Sequence, residues 1–145
     1  MLRYGLKYIS RYCALAAWSI VAFAAAGNSP TRAEDWPQFR GPNCTGISQS
    51  TLPLPTKFSA TEGVRWSVRL GDGIGSPVVA AGRAFVTAMG DNPPTAEQTI
   101  SLFAFDASSG RKLWQRDWPT GPLAEIHKTN SHASTTPAAD AERVY

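Results

Sequence analysis

Cysteine is scarce in this 145-residue sequence, which has only Cys13 and Cys44. Cys13 falls in an N-terminal stretch that we predict to be a removable leader, so Cys44 is left alone. One thiol cannot form an internal disulfide, which excludes the class of small secreted domains stapled by disulfides. We therefore expect Cys44 to be a loop thiol. Cys13 stands at the start of the apolar run and not after it, so no lipid attachment is expected there.

Acidic residues are missing from the first 33 positions, and this absence changes the meaning of the net charge of +3. The rest of the chain carries ten basic and eleven acidic residues, because the leader holds Arg3, Lys7, Arg11 and Arg32. Nucleic-acid binding proteins usually carry a basic patch or stripe. The sequence after residue 33 has no such excess, so we predict no nucleic-acid partner.

No apolar run reaches the roughly 20 residues that span a bilayer. The longest covers residues 13–27, is interrupted only by Ser19, and follows the basic N-terminal stretch. This order is typical of a secretory signal peptide. We predict a signal peptide over residues 1–33, cleaved after Ala33 or, less favourably, after Gly27, with an uncleaved signal anchor as the alternative. Cleavage would leave no stable membrane span and an exported protein, periplasmic or extracellular.

Helical periodicity is absent beyond the leader. Residues 34–62 contain four prolines and two glycines, which interrupt every candidate helix. The mixed polar and aromatic content argues against a disordered tail. We predict an extended lead-in segment over residues 34–62, anchored by Trp36 and Phe39.

Short strands are predicted over most of residues 63–145. Residues 64–70 (VRWSVRL) alternate apolar and polar side chains, which is the pattern of a half-buried strand. Two apolar runs flank Gly82, which is expected to adopt a positive φ in a hairpin turn. The predicted strands of this region are 77–80, 84–88, 99–105 and 112–116, with residues 99–105 apolar on both faces, as expected of an inner strand.

A weak internal repeat supports this interpretation. Residues 76–85 align with residues 136–145, and three positions recur with a spacing of 60: Pro77, Arg83 and Phe85 as Pro137, Arg143 and Tyr145. One four-stranded sheet leaves both apolar faces bare, and repeat units usually need about three copies to bury them. We predict an all-β fold, a β-propeller of four-stranded antiparallel blades, of which one full blade and the start of a second are present. The chain is then expected to be a fragment of a longer protein.

A spaced motif follows the third predicted strand, with Ala104, Asp106, Gly110 and Trp114 in the pattern A-x-D-x-x-[ST]-G-[KR]-x-x-W. A small Ala104 permits close approach of another sheet. Asp106 can accept hydrogen bonds from the turn that it opens, and Gly110 can take the left-handed conformation that ends the turn. Trp114 offers a large flat surface and one N–H donor.

This pattern resembles the tryptophan-docking motif of the pyrroloquinoline-quinone (PQQ) repeat, the blade type of quinoprotein dehydrogenase propellers and of many secreted non-catalytic propellers. Residues 35–43 (DWPQFRGPN) also resemble the segment ahead of the first blade in secreted PQQ-like proteins. The resemblance covers roughly residues 35–145. It implies partial PQQ-like repeats over residues 63–145, with residues 64–70 as the outer strand of the closing blade.

Two functions from different classes are compatible with this resemblance. We expect a non-catalytic module that binds or scaffolds protein partners through the propeller surface, with no catalytic, cofactor-binding or metal residues in this chain. The alternative is the N-terminal part of a PQQ-dependent oxidoreductase, which implies PQQ with calcium. The quinoprotein family's adjacent cysteine pair and a C-x-x-C-H haem motif are absent from this sequence.

One polar cluster also has candidate chemistry. His127 and His132, with Glu125 as a third ligand, would be a metal site, and Ser134 with His132 would imitate a nucleophile and its base. No carboxylate is placed to orient His132, and the stretch is rich in turn formers. We expect a loop whose short polar side chains satisfy the backbone of its turns.

Overall fold

The computed structural model describes residues 34–90 and 97–145. The predicted signal peptide, its cleavage site and Cys13 lie outside the described residues, as does the centre of the predicted loop after residue 90. Within the described ranges, no helix is long and apolar enough to cross a membrane.

The centre of the fold is one four-stranded antiparallel sheet with the order β1-β2-β3-β4. The predicted meander is thus confirmed, although β2, β3 and β4 are longer than expected. Polar residues at their ends continue the ladder, since Arg83 pairs with Asp106 and Asp117 pairs with Ser101. The strands are β1 (Val78–Ala80), β2 (Arg83–Met89), β3 (Thr99–Asp106) and β4 (Lys112–Pro119).

A two-residue turn joins β1 to β2. Ala81 and Gly82 both have positive φ angles, 52° and 74°, as the primed turns of tight hairpins require. The expected left-handed Gly82 is therefore present. Ala81 also takes this conformation, which an alanine adopts only at some cost in strain.

Both faces of the sheet are apolar, and each packs against a different part of the chain. The first face centres on Val78, Phe85 and Ala104 and contacts the C-terminal residues Ala139 and Val144. The second face is the buried cluster Ala84, Ala88, Phe103 and Phe105, partly covered by Trp66 and Leu70. Strand β3 contributes to both clusters, as expected of an inner strand.

Residues 64–70 do not form the predicted strand. Trp66 and Leu70 pack against the second face of the sheet, whereas Val64 and Val68 are exposed. The prediction was wrong because alternation of apolar and polar side chains supplies no hydrogen-bonding partner. A strand needs a neighbouring strand, and the described residues place none beside this segment.

The lead-in segment is extended, as predicted, and Trp36 anchors it through a backbone bridge to Val79. Phe39 is not an anchor, since 58% of it is exposed. A single 3₁₀-type turn, Pro42–Cys44, interrupts this segment, and it is not a regular helix, because Asn43 and Cys44 have positive φ angles of 54° and 56°. Its proline stands at the first position, where the missing N–H costs nothing.

The predicted repeat is visible in the backbone of a second hairpin at the C-terminus. Ala139 pairs with Val144, just as Val79 pairs with Ala84 in the first hairpin. Ala138 and Tyr145 exchange backbone hydrogen bonds of 3.0 and 2.7 Å. The sequence offset of 60 residues therefore corresponds to the same strand register.

Candidate functional site

The turn between β3 and β4 is organised by the carboxylate of Asp106. One oxygen, Oδ1, accepts hydrogen bonds from the backbone N–H groups of Ser108 and Ser109 at 3.1 and 2.9 Å. The hydroxyls of the same two serines donate to it at 2.6 and 2.8 Å. The Gly110 N–H donates to the Asp106 carbonyl at 2.8 Å, and Gly110 has a φ of 72°. Asp106 thus acts as the cap of this turn.

These hydrogen bonds determine the charge state of Asp106. Donation from the Ser108 hydroxyl, followed by that of Ser109 and its N–H, lowers the pKa of Asp106 from 3.8 to about 2. The physical cause is that every donor stabilises the ionised carboxylate. A lowered pKa removes Asp106 from general acid or base chemistry near neutral pH, because such a role needs a pKa near the working pH.

Trp66 docks onto this turn from the second face of the sheet. Its indole Nε1–H donates to the Ala107 carbonyl at 3.0 Å. Its ring lies directly over Gly110, since a Cβ atom at that position would come within 2.6 Å of the indole. The ring also contacts Phe105, with centroids 6.3 Å apart. Gly110 is therefore required twice, for its positive φ and for the absence of a side chain beneath the indole.

Sequence reasoning missed this role of Trp66, which it treated as one of four residues on a strand face. The sequence has no copy of the motif upstream that would mark Trp66. The turn that receives it, however, is the predicted one. The sequence offers no further signal for Trp66, because the place of Gly110 beneath an indole is visible only in the structure.

Trp114, the tryptophan of the motif itself, lies on the opposite face of the sheet. It is half-buried beside Phe85, with ring centroids 5.8 Å apart, and Ala104 on the neighbouring strand is fully buried. A groove of about 280 Å³ runs along this face between β4 and the C-terminal hairpin. The structure therefore brings Ala104 and Trp114 to one face, whereas Gly110 contacts the tryptophan on the other.

The histidines of the loop before the second hairpin do not converge. His132 Nε2 lies 2.8 Å from the Ala124 carbonyl, and His127 Nδ1 lies 2.9 Å from the Thr129 hydroxyl. Both contacts hold the loop to itself, and Ser131 Oγ accepts from a backbone N–H two residues on, at 3.1 Å. The expected role of these polar side chains in satisfying the turns is what the geometry shows.

Two further carboxylates are tied into the fold in the same manner as Asp106. The N–H groups of Glu142 and Arg143 lower the pKa of Asp140, which caps the second hairpin turn. The Ser101 hydroxyl lowers the pKa of Asp117 and donates to it at 2.6 Å. These carboxylates lie on separate elements, and within residues 34–90 and 97–145 no three metal-ligating side chains lie together. Asp106, Asp117 and Asp140 therefore do not come together as a shared set of carboxylate ligands.

Cys44 is an exposed free thiol in the 3₁₀ turn. Its sulfur accepts a hydrogen bond from the Gln38 amide at 3.4 Å. This placement agrees with the expected loop thiol.

Comparison with known proteins gives one family match. The profile of the PQQ-like repeat family described as outer membrane protein assembly factor BamB matches residues 56–145, which is more than half of the chain. No curated protein and no solved structure shows significant similarity to the sequence. The matched region includes Trp66, the whole sheet and the second hairpin.

Proposed function

Because the chain belongs to the PQQ-like repeat family described as outer membrane protein assembly factor BamB, we propose that it is an exported, non-catalytic propeller segment that binds protein partners. The periplasm or the extracellular space is the proposed compartment, and the predicted leader of residues 1–33 supports export. The proposal of a non-catalytic role rests on the hydrogen bonds of three carboxylates, because Asp106, Asp117 and Asp140 all hold turns or strands together.

The four motif residues are proposed to dock neighbouring repeats. The contact of Trp66 with Ala107 and Gly110 supports this, because it is the geometry that a tryptophan from a preceding repeat would need. By the same logic, Trp114 is the tryptophan that this repeat offers to the next one. Asp106 and Gly110 shape the receiving turn, and the small Ala104 allows close packing on the opposite face.

An activity assay separates this proposal from a PQQ-dependent oxidoreductase. The full-length protein is mixed with PQQ, Ca²⁺ and an artificial electron acceptor dye, and alcohols and sugars are supplied in turn. We expect no dye reduction above that of a sample lacking PQQ. Quinone-dependent dye reduction would overturn the non-catalytic assignment and favour the oxidoreductase.

Partner binding is tested by photo-crosslinking in the producing cell. A photoreactive amino acid replaces Leu54 or Ile126, which are 85% and 37% exposed, or Phe85, which is 1% exposed and serves as the control. We expect a crosslinked species of defined mass from an exposed position and none from Phe85. Absence of crosslinks at every exposed position tried would contradict a protein-binding role.

Export has its own test. Cells that produce the protein are fractionated, and the N-terminus of the product is sequenced. We expect a product outside the cytoplasm that begins near Glu34. An intact leader in the cytoplasmic fraction would contradict export.

A further inference from the structure

The outer edge of β1 is covered by residues 35 and 36 of the same chain. Strand β1 pairs with β2 on one side, and on its other side a single bridge joins Val79 to Trp36. The Trp36 N–H donates to the Val79 carbonyl at 2.7 Å, and the Val79 N–H donates to the Trp36 carbonyl at 2.8 Å. One residue earlier, the Asp35 carboxylate accepts from the Ala81 N–H at 3.1 Å. Two backbone N–H groups at this edge, which water would otherwise solvate, are thus satisfied by residues 35 and 36.

The next residue along reaches the second repeat. The Pro37 carbonyl accepts a hydrogen bond of 2.8 Å from the N–H of Ala139, the position that corresponds to Val79 after the offset of 60. Ala139 belongs to the C-terminal hairpin, where it pairs with Val144. Residues 36 and 37 therefore contact the equivalent strand of two successive repeats.

Two anchors fix these residues in place. The Trp36 ring lies against Gly41, where an added Cβ would come within 2.6 Å of the indole. The Glu34 carboxylate accepts hydrogen bonds from the Ser48 hydroxyl and from the Gln49 and Ser50 N–H groups, the last two at 2.8 and 3.3 Å. The Ser48 hydroxyl and then the Gln49 N–H lower the pKa of Glu34, so the anchoring carboxylate is ionised at neutral pH.

We infer that residues 34–37 form a strap that closes the free edge of β1 and ties the first strand of one repeat to the first strand of the next. An open strand edge is a template for pairing with other chains, which proteins avoid by covering it. The strap covers this edge with a backbone bridge and one carboxylate, and its Pro37 carbonyl accepts from the N–H of Ala139 in the second hairpin. Its function is conformational: while seated, it holds the first strands of the two repeats at one separation, and when released it uncovers the N–H groups of Val79, Ala81 and Ala139.

Amide hydrogen exchange of the full chain tests the strap at these three N–H groups. Trp36→Ala removes the ring that seats on Gly41, and Phe39→Ala, a change at an exposed aromatic nearby, is the control. We expect exchange at Val79 and Ala139 to rise about tenfold in Trp36→Ala and to stay within about twofold in Phe39→Ala, since a lost hydrogen bond of typical net strength has this effect. The Tyr145 N–H, bonded within the second hairpin, should keep its protection.

A milder variant, Asp35→Ala, tests the strap if Trp36→Ala does not fold. Asp35→Ala removes the acceptor of the Ala81 N–H and leaves the backbone bridge between Trp36 and Val79 available, so exchange at Ala81 should rise about threefold or more while Val79 changes less. The inference is overturned if a folded Trp36→Ala chain keeps full protection at Val79 and Ala139. It is also overturned if Asp35→Ala leaves the Ala81 rate unchanged.

Discussion

Trp66 and Trp114 lie on opposite faces of the same sheet, and their surroundings differ. Trp66 has its ring over Gly110 and its N–H on the Ala107 carbonyl. Trp114 packs beside Phe85, and the described residues supply it with no glycine turn of this kind. A tryptophan before the sheet is thus received by the β3–β4 turn, while the tryptophan after that turn faces the other way.

The motif is therefore not a unit that folds upon itself. Asp106 and Gly110 build a platform for an indole, but the motif's own Trp114 lies on the wrong face to reach it. A turn that receives from one side while the next tryptophan is presented on the other is what a chain of stacked repeats requires. Four sets of substitutions test this asymmetry between the two faces of the sheet.

The platform glycine gives the largest expected effect. Gly110→Ala should destabilise the protein by about 3–5 kcal/mol, because it combines a strained positive φ with a Cβ inside the indole and thereby displaces Trp66. Gly82→Ala is the matched control, since Gly82 has a φ of 74° but nothing within 4 Å of an added Cβ. Urea unfolding of both variants measures the difference. Equal losses would show that backbone strain alone matters and that the indole does not sit on Gly110.

The two tryptophans themselves come next. Trp66→Ala should cost about 3 kcal/mol, in the range of large-to-small changes at packed aromatic residues. Trp114→Ala in the same chain should cost about 1–2 kcal/mol less, because Trp114 lacks the glycine contact. Thermal and urea unfolding provide the values. If Trp114→Ala were the more harmful change, the proposed asymmetry between the faces would be wrong.

The hydrogen bond of the Trp66 indole should contribute a smaller share of the stability. Trp66→Phe keeps an aromatic ring but removes the Nε1–H that donates to Ala107, and should cost about 0.5–1.5 kcal/mol beyond the change in ring size. Trp114→Phe is the control, with no corresponding loss expected. A stability of Trp66→Phe equal to that of the unsubstituted chain would exclude a contribution from this hydrogen bond.

The Asp106 cap gives the smallest effect and a pH signature. Since folding lowers the pKa of Asp106 from 3.8 to about 2, its ionised form stabilises the folded state fully above about pH 4. That stabilisation is lost as the pH falls towards 2, where the folded carboxylate takes up its proton. Asp106→Asn should therefore narrow the difference in unfolding free energy between pH 5 and pH 2. If the unfolding free energy of Asp106→Asn fell between pH 5 and pH 2 as steeply as that of the unsubstituted chain, Asp106 would not be the group responsible for this pH dependence.

Much of the sheet could be predicted from the sequence because its determinants are local. The Gly82 turn, the run of apolar residues in β3 and the Asp106–Gly110 turn each follow from residue types within a few positions. The offset of 60 also anticipated the second hairpin, whose bridge between Ala139 and Val144 repeats that of the first. The ends of the strands were underestimated, because cross-strand pairing extends a ladder through polar residues such as Asp117.

The failures share a cause, which is that tertiary partners are not visible in local patterns. Residues 64–70 have the alternation of a strand, but the described residues give them no strand to pair with. Trp36 and Phe39 were both expected to anchor the lead-in segment, but only Trp36 does so, through its backbone bridge and its contact with Gly41. In each case the residue types suggested a packed segment, but the local sequence did not show which part of the chain would be its partner.

The proton NMR signal of Gly110 reports directly on whether the Trp66 indole lies over the β3–β4 turn. If the Trp66 indole lies over this glycine, its Hα protons will be shifted strongly upfield by the aromatic ring and will show nuclear Overhauser contacts to the Trp66 ring, both lost in Trp66→Ala and kept in Trp114→Ala. Gly110 Hα signals at ordinary positions, without contacts to Trp66, would contradict the account of the turn as a platform for a tryptophan from a preceding repeat.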